Sequence, residues 1–113
     1  MNLEEQFKSS FYGFIEKVQE VINSFMNLNS DENPMITQSV AKIWFLLEGL
    51  NSYLEIASQE GIDFQLIDVG IDMIAEELFK PHIAMAVSDI SGIVNKYKSV
   101  KSSVVQLSQA HQS

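Results

Sequence analysis

Apolar residues recur along this sequence at steps of three and four, and proline or glycine interrupts the recurrence at three places. The spacing matches the period of an α-helix that buries one face. It predicts an all-α protein with four helical segments. The stripes are Phe7, Phe11, Phe14, Val18, Val21, Phe25 and Leu28 in the first segment; Ile36, Val40, Ile43, Leu47, Leu50, Leu54 and Ala57 in the second; Phe64, Ile67, Ile71, Ile74 and Leu78 in the third; and Ile83, Ala86, Ile90, Ile93, Tyr97, Val100, Val104 and Leu107 in the fourth.

Residues suited to helix ends lie between these segments. Asn33 is a candidate N-cap for the second helix, with Pro34 at its first helical position. Gly61 suits the left-handed residue that ends this helix, and Ile62 suits the apolar contact that often accompanies such an end. Asp63 is then the expected N-cap of the third helix.

Pro81 separates the third stripe from the fourth. It disfavours a helical conformation at Lys80 and removes one backbone donor. The third stripe, continued beyond Leu78, would reach positions 81, 85 and 88, whereas the apolar positions are 83, 86 and 90. We expect a kink or a tight turn here. The alternative is one bent helix over 63–107, whose long stripe would need a second chain to cover it.

The segment lengths favour a bundle within one chain. At about 1.5 Å per residue, three helices are roughly 40 Å long and the third is nearer 24 Å. We predict one domain over residues 1–107, an antiparallel bundle of four helices (three long, one short) with an incomplete edge. Residues 108–113 are predicted to form a disordered polar tail. Apolar heptads also leave a homodimer open.

Composition narrows the range of partners. The 113 residues carry a formal net charge of −8 and contain neither arginine nor cysteine. This balance disfavours direct nucleic-acid binding and anionic membrane surfaces, both of which require basic side chains. No stretch is apolar enough to span a bilayer. We expect a cytoplasmic protein that attracts a basic protein partner.

No motif in the sequence indicates catalysis. The two histidines, His82 and His111, lack the Glu-x-x-His spacing of carboxylate-bridged metal sites. No serine lies in a G-x-S-x-G context, and the five glycines are isolated rather than grouped into a phosphate-binding loop. We therefore predict no catalytic, metal-binding or cofactor-binding residues and a protein that is not an enzyme.

The third helix combines a row of carboxylates with a second apolar face. At 100° per residue, Asp68, Asp72 and Glu76 lie at about 0°, 40° and 80°, far from the main stripe at about 240° to 320°. Three apolar side chains lie between this row and Glu77. The candidate partner-binding residues are therefore Leu66, Asp68, Val69, Asp72, Met73 and Glu76.

Two interpretations of this face remain open. The carboxylates form either a solvated surface, offset by lysines of the fourth helix, or the edge of a surface that binds a basic protein. Phe45 and Ile56 likewise point away from the stripe of the second helix, which indicates a covered face or an interface. The leading hypothesis is a neutralising binder, such as an immunity protein, an antitoxin or a phage-encoded inhibitor, that occludes a basic site. The alternative is an assembly or secretion-adaptor protein that oligomerises through its heptads.

Overall fold

The computed structural model describes residues 2–27 and 34–112, and these residues fold into the helical bundle that the spacing predicts. Neither described range contains a strand. Asn33 and Leu28, which the sequence assigns to a cap and a stripe, lie outside the described residues. The helices are α1 (Leu3–Asn27), α2 (Pro34–Glu60), α3 (Phe64–Leu78), α4 (Pro81–Ala84) and α5 (Ile90–Gln112).

The turn between α2 and α3 has the caps that the sequence predicts. Gly61 adopts a φ of 101°, and its N–H donates to the carbonyl oxygen of Ala57 at 2.8 Å. An Oδ atom of Asp63 accepts from the N–H groups of Gln65 and Leu66. Together these contacts satisfy backbone groups that a helix end leaves without partners, so they fix where each helix stops.

Pro81 marks a full turn between separate helices rather than a kink. The N–H of Phe79 donates to the carbonyl oxygen of Ala75 at 3.0 Å and closes α3. Lys80 is extended, with φ −62° and ψ 141°, and the proline then begins α4. An extended residue before proline is the expected steric result. The alternative of one bent helix over 63–107 is therefore wrong.

The predicted fourth helix is two helices. The one-turn helix α4 ends at Ala84, and α5 begins at Ile90 after a turn over 85–89. Asp89 starts α5 as its N-cap, because its Oδ1 accepts from the N–H of Gly92 at 3.0 Å. Ala86, a member of the predicted stripe, is consequently exposed in the turn. At the end of the chain, α5 continues to Gln112 and so includes residues 108–112 of the predicted tail, while Ser113 lies outside the described residues.

Residues 81–89 fill the incomplete edge of the bundle. α3 has 15 residues, whereas α1 and α2 have 25 and 27, so the short helix leaves one end of the core uncovered. Ile83 of α4 is fully buried there. At the end of the same segment, Asp89 accepts a hydrogen bond from Lys17 of α1 at 2.9 Å. The segment therefore closes the core and ties it to α1.

Neighbouring helices differ in how closely they pack. α1 lies against α5 along most of its length, where Gly13 and the serines 10, 99 and 103 keep the side chains small. α2 pairs with α3, and Gly70 faces Leu50 at their contact. α1 and α2 touch at far fewer positions, although both are long and antiparallel. This loose contact leaves a groove between them.

The apolar stripes supply the core, as their spacing predicts. Every described stripe residue except Ala86 is buried or packs against the buried cluster. The members that are less than 2% exposed are Phe7, Phe11, Phe14, Val18, Ile43, Ile67, Ile71, Ile74, Leu78, Ile83, Ile93 and Val100.

Candidate functional site

Three apolar side chains of α3 point away from the core, as the helical wheel predicts. Leu66 and Val69 are each 49% exposed and Met73 is 40% exposed. We call these three residues the outer α3 face. Their exposure leaves apolar surface in water that burial against another molecule would remove, and such surface commonly marks contact sites when it is grouped.

Of the three carboxylates in the row, Asp68 and Asp72 are paired with a lysine of α5. Lys101 of α5 lies 2.5 Å from Asp68 and 2.9 Å from Asp72, measured from Nζ to the nearest carboxylate oxygen. The hydroxyl of Tyr97 also donates to Asp72 at 2.7 Å. Burial raises the pKa of Asp72, but the hydrogen bonds from Tyr97 and Lys101 outweigh burial and lower it. The interpretation in which the last helix offsets the row therefore holds for two of its members, and Glu76 remains exposed.

This bridge between α3 and α5 gives a stability prediction. Replacing Lys101 by Met leaves two carboxylates one turn apart without their cation, and we expect the free energy of unfolding to fall by about 1 kcal/mol. Added salt should narrow the difference, because it screens the remaining repulsion. Urea unfolding at low and high salt measures both effects.

Lys98→Met is the matched control, since Lys98 is exposed on the same helix. It forms no ion pair with any side chain that the structure describes. A control variant that loses as much stability as Lys101→Met would contradict the bridge.

A second ionic cluster was missed by sequence reasoning. Glu77 is only 3% exposed. Its Oε1 atom lies 2.7 Å from Nζ of Lys80 and 3.0 Å from Nζ of Lys42. Burial raises its pKa, but hydrogen bonds from Lys80, Lys42 and Ser39 outweigh burial and hold the pKa of Glu77 at about 2. Ser39 in turn lies 2.8 Å from Nε2 of His82. The cluster joins α2, α3 and α4, and the i, i+3 spacing of Glu77 and Lys80 was its one visible signal.

The serine and histidine of this cluster do not have the arrangement of a hydrolase. In a catalytic triad the imidazole lies between the serine and the carboxylate. Here the serine lies between the other two groups, because Ser39 donates to Glu77 and contacts Nε2 of His82. Ser39 is also buried, so its hydroxyl is withheld from a substrate. These contacts give the cluster a structural role, because they hold α4 against α2 and α3.

A groove between α1 and α2 has a mainly apolar lining that includes an exposed aromatic pair. Trp44 is 43% exposed and Phe45 is 77% exposed along α2. They line a cavity of about 500 Å³ with the buried Ile22 of α1 and with Val40 and Ala41. We call this the α1–α2 groove. A second, larger cavity of about 790 Å³ lies along the same pair of helices, nearer the α2–α3 turn.

Negative charge is concentrated on one half of the bundle. Residues 34–80, which form α2 and α3 with their connections, carry eight carboxylates and two lysines. The remaining described residues, 2–27 and 81–112, carry five of each. We call residues 34–80 the acidic half. The outer α3 face belongs to this half, as do Trp44, Phe45 and Ile56.

Two further searches cover only residues 2–27 and 34–112. Within these ranges, no three histidine, aspartate or glutamate side chains converge as metal ligands would. No helix among them has both the length and the apolarity that crossing a membrane requires. The sequence matches no family model, and no curated protein or solved structure matches it.

Proposed function

We propose that this protein is a non-enzymatic binding module that occludes a basic site on another protein. One observation carries the proposal: exposed apolar side chains of the outer α3 face lie on the half of the molecule that holds the excess of carboxylates. An apolar contact with charged surroundings is the usual composition of a transient protein interface. The module belongs to the class of neutralising binders, which includes immunity proteins, antitoxins and phage-encoded inhibitors.

Charge selects the partner. Docking the acidic half against the same half of a second copy would bring like charges together, at a cost in free energy. A basic surface would gain from the same field, and the field would speed its approach at low salt. The partner is therefore a protein with lysines or arginines around an apolar contact.

The assembly role receives less support. Oligomerisation through heptads requires that the apolar stripes be available to a second chain. The described stripes pack into the core of a single chain. Most of the large apolar side chains that stay exposed lie on α2 and α3, where acidic side chains disfavour self-association.

The test is affinity capture from the native host at low and high salt, with identification of the bound protein. Val69→Lys combined with Met73→Lys replaces two apolar side chains of the outer α3 face by cations, which would repel a basic partner. Asn95→Lys combined with Gln106→Lys makes the same change in net charge at exposed positions of α5. We expect a basic protein whose capture weakens with salt, persists with the α5 variant and is lost with the α3 variant. Equal capture by both variants would contradict the proposal.

A further inference from the structure

We propose that the α1–α2 groove seats a basic amphipathic helix of the partner. This inference rests on the proposed function. It adds which structural element of the partner is bound, a helix, and where it binds on this protein. On α2, Leu50 faces α3, whereas Ala41 and Glu48 line the groove about 160° to 180° further round the helix, so the outer α3 face and the groove can be tested separately.

The shape of the groove suits a helix. α2 supplies six of the seven residues that line the cavity and α1 supplies Ile22, at a place where the two antiparallel helices touch at few positions. The lining residues of α2 occupy successive turns, at 37, 40 and 41, 44 and 45, and 48. These positions span about 16 Å, which is three turns of a docked helix. A helix laid in an apolar groove through residues at i, i+3 and i+7 is a common mode of peptide recognition.

The polar groups of the groove favour a cation. Glu48 is the charged residue among those lining the cavity beside Trp44. Glu55, seven residues further along α2 and hence on the same side of the helix, lines the larger cavity, whose other charged lining residues are Glu4, Asp63 and Lys8. Lysines or arginines that flank the apolar face of a docked helix would come near both carboxylates. An acidic helix would meet repulsion at the same positions.

A second copy of this chain does not offer such a helix. Its one helix with lysines and no carboxylates is α5, which carries Lys96, Lys98 and Lys101. The apolar side of α5 is already buried, with Ile93, Val100, Val104 and Leu107 in the core. The occupant is therefore a helix of a different protein.

Trp44 allows a direct test because it is the only tryptophan in the chain. The probe is a synthetic peptide of about five helical turns, without tryptophan, with leucine on one face and lysine on the other. Burying Trp44 should shift its emission to shorter wavelength in a saturable way. Two control peptides have glutamate in place of lysine, or the same composition without the amphipathic order. We expect each control to bind at least tenfold more weakly than the probe.

Protein variants locate the peptide. Ala41→Lys places a cation in the groove, and Asn95→Lys makes the same change at an exposed position of α5. Circular dichroism verifies that both variants fold. We expect Ala41→Lys to weaken peptide binding at least tenfold, and Asn95→Lys and the Val69→Lys, Met73→Lys variant to change it less than threefold.

The outcomes separate the two proposals. Three results would contradict binding in the groove. They are the absence of a saturable emission shift, equal binding of the control peptide that lacks the amphipathic order, and equal peptide affinity of the Ala41→Lys and Asn95→Lys variants. Loss of the peptide with the α3 variant alone would move the helix to the outer α3 face, which overturns the groove and leaves the proposed function standing. Peptide binding in the groove, together with capture that the α3 variant does not affect, would support the groove and contradict the role of the outer α3 face.

Discussion

Replacing Glu77 by Gln is expected to lower the free energy of unfolding by about 2 kcal/mol at neutral pH, although the change keeps the size of the side chain. Buried hydrogen bonds between charged groups contribute about 1.5 to 3 kcal/mol each. The loss is smaller than the roughly 3 to 5 kcal/mol that breaking a fully buried ion pair costs, because both lysines are half-exposed and can return to water. Urea unfolding followed by far-ultraviolet circular dichroism measures the change.

The stability lost in Glu77→Gln is expected to depend on pH. The pKa of Glu77 is about 2 in the folded protein, below its ordinary value of 4.5. Its contribution is therefore fully present above about pH 4.5 and is lost as the pH falls toward 2, because the unfolded state then binds a proton that the folded state does not. We expect the wild type and Glu77→Gln to converge in stability across this window.

The neighbouring acid provides the control. Glu76 is exposed one residue earlier in the same helix, so Glu76→Gln removes the same charge without touching the cluster. We expect it to change stability by less than about 0.5 kcal/mol. Equal losses for Glu76→Gln and Glu77→Gln would contradict the assignment of the buried cluster.

Replacing Gly70 by Ala is expected to destabilise the protein by up to about 2 kcal/mol, despite the higher helix propensity of alanine. A Cβ at this position would lie 2.6 Å from Cδ2 and 3.0 Å from Cγ of Leu50. Leu50 is buried, so it has little room to move. Overpacking of this kind costs about 1 to 3 kcal/mol, whereas the propensity gain is about 1 kcal/mol.

Gly49 is the matched control on α2. A Cβ added there meets no atom within 4 Å, so Gly49→Ala should gain stability by about 0.5 to 1 kcal/mol. The two alanine variants should therefore shift the urea midpoint in opposite directions. A stabilising Gly70→Ala would show that α2 and α3 pack less closely than described.

Local signals in the sequence predicted the helix ends well. Gly61 and Asp63 act through backbone groups within a few residues, so their effect does not depend on the rest of the fold. Pro81 acts in the same way on Lys80. The turn before Asp89 had an equally local signal, an N-cap residue. It was overlooked because Ile83, Ala86 and Ile90 continue the helical spacing across it.

The environment of the acidic side chains depended on contacts between distant segments. The wheel placed Asp68 and Asp72 outside the core, but their pairing with Lys101 requires the register of α3 against α5. The burial of Glu77 likewise requires Lys42 from α2, 35 positions earlier. Periodicity within one helix carries no information on either register. The exposure of the outer α3 face could be predicted without the register between helices, because its residues lie at angles on the helix far from those of the buried stripe.

Photo-crosslinking of the captured partner tests most directly the claim that the acidic half is the binding surface. A benzophenone amino acid is placed at Val69, at Phe45 or at Ser102, an exposed position of α5. We predict covalent adducts with one basic protein from positions 69 and 45 and none from position 102. Adducts from position 102 alone, while the partner still binds, would contradict the account.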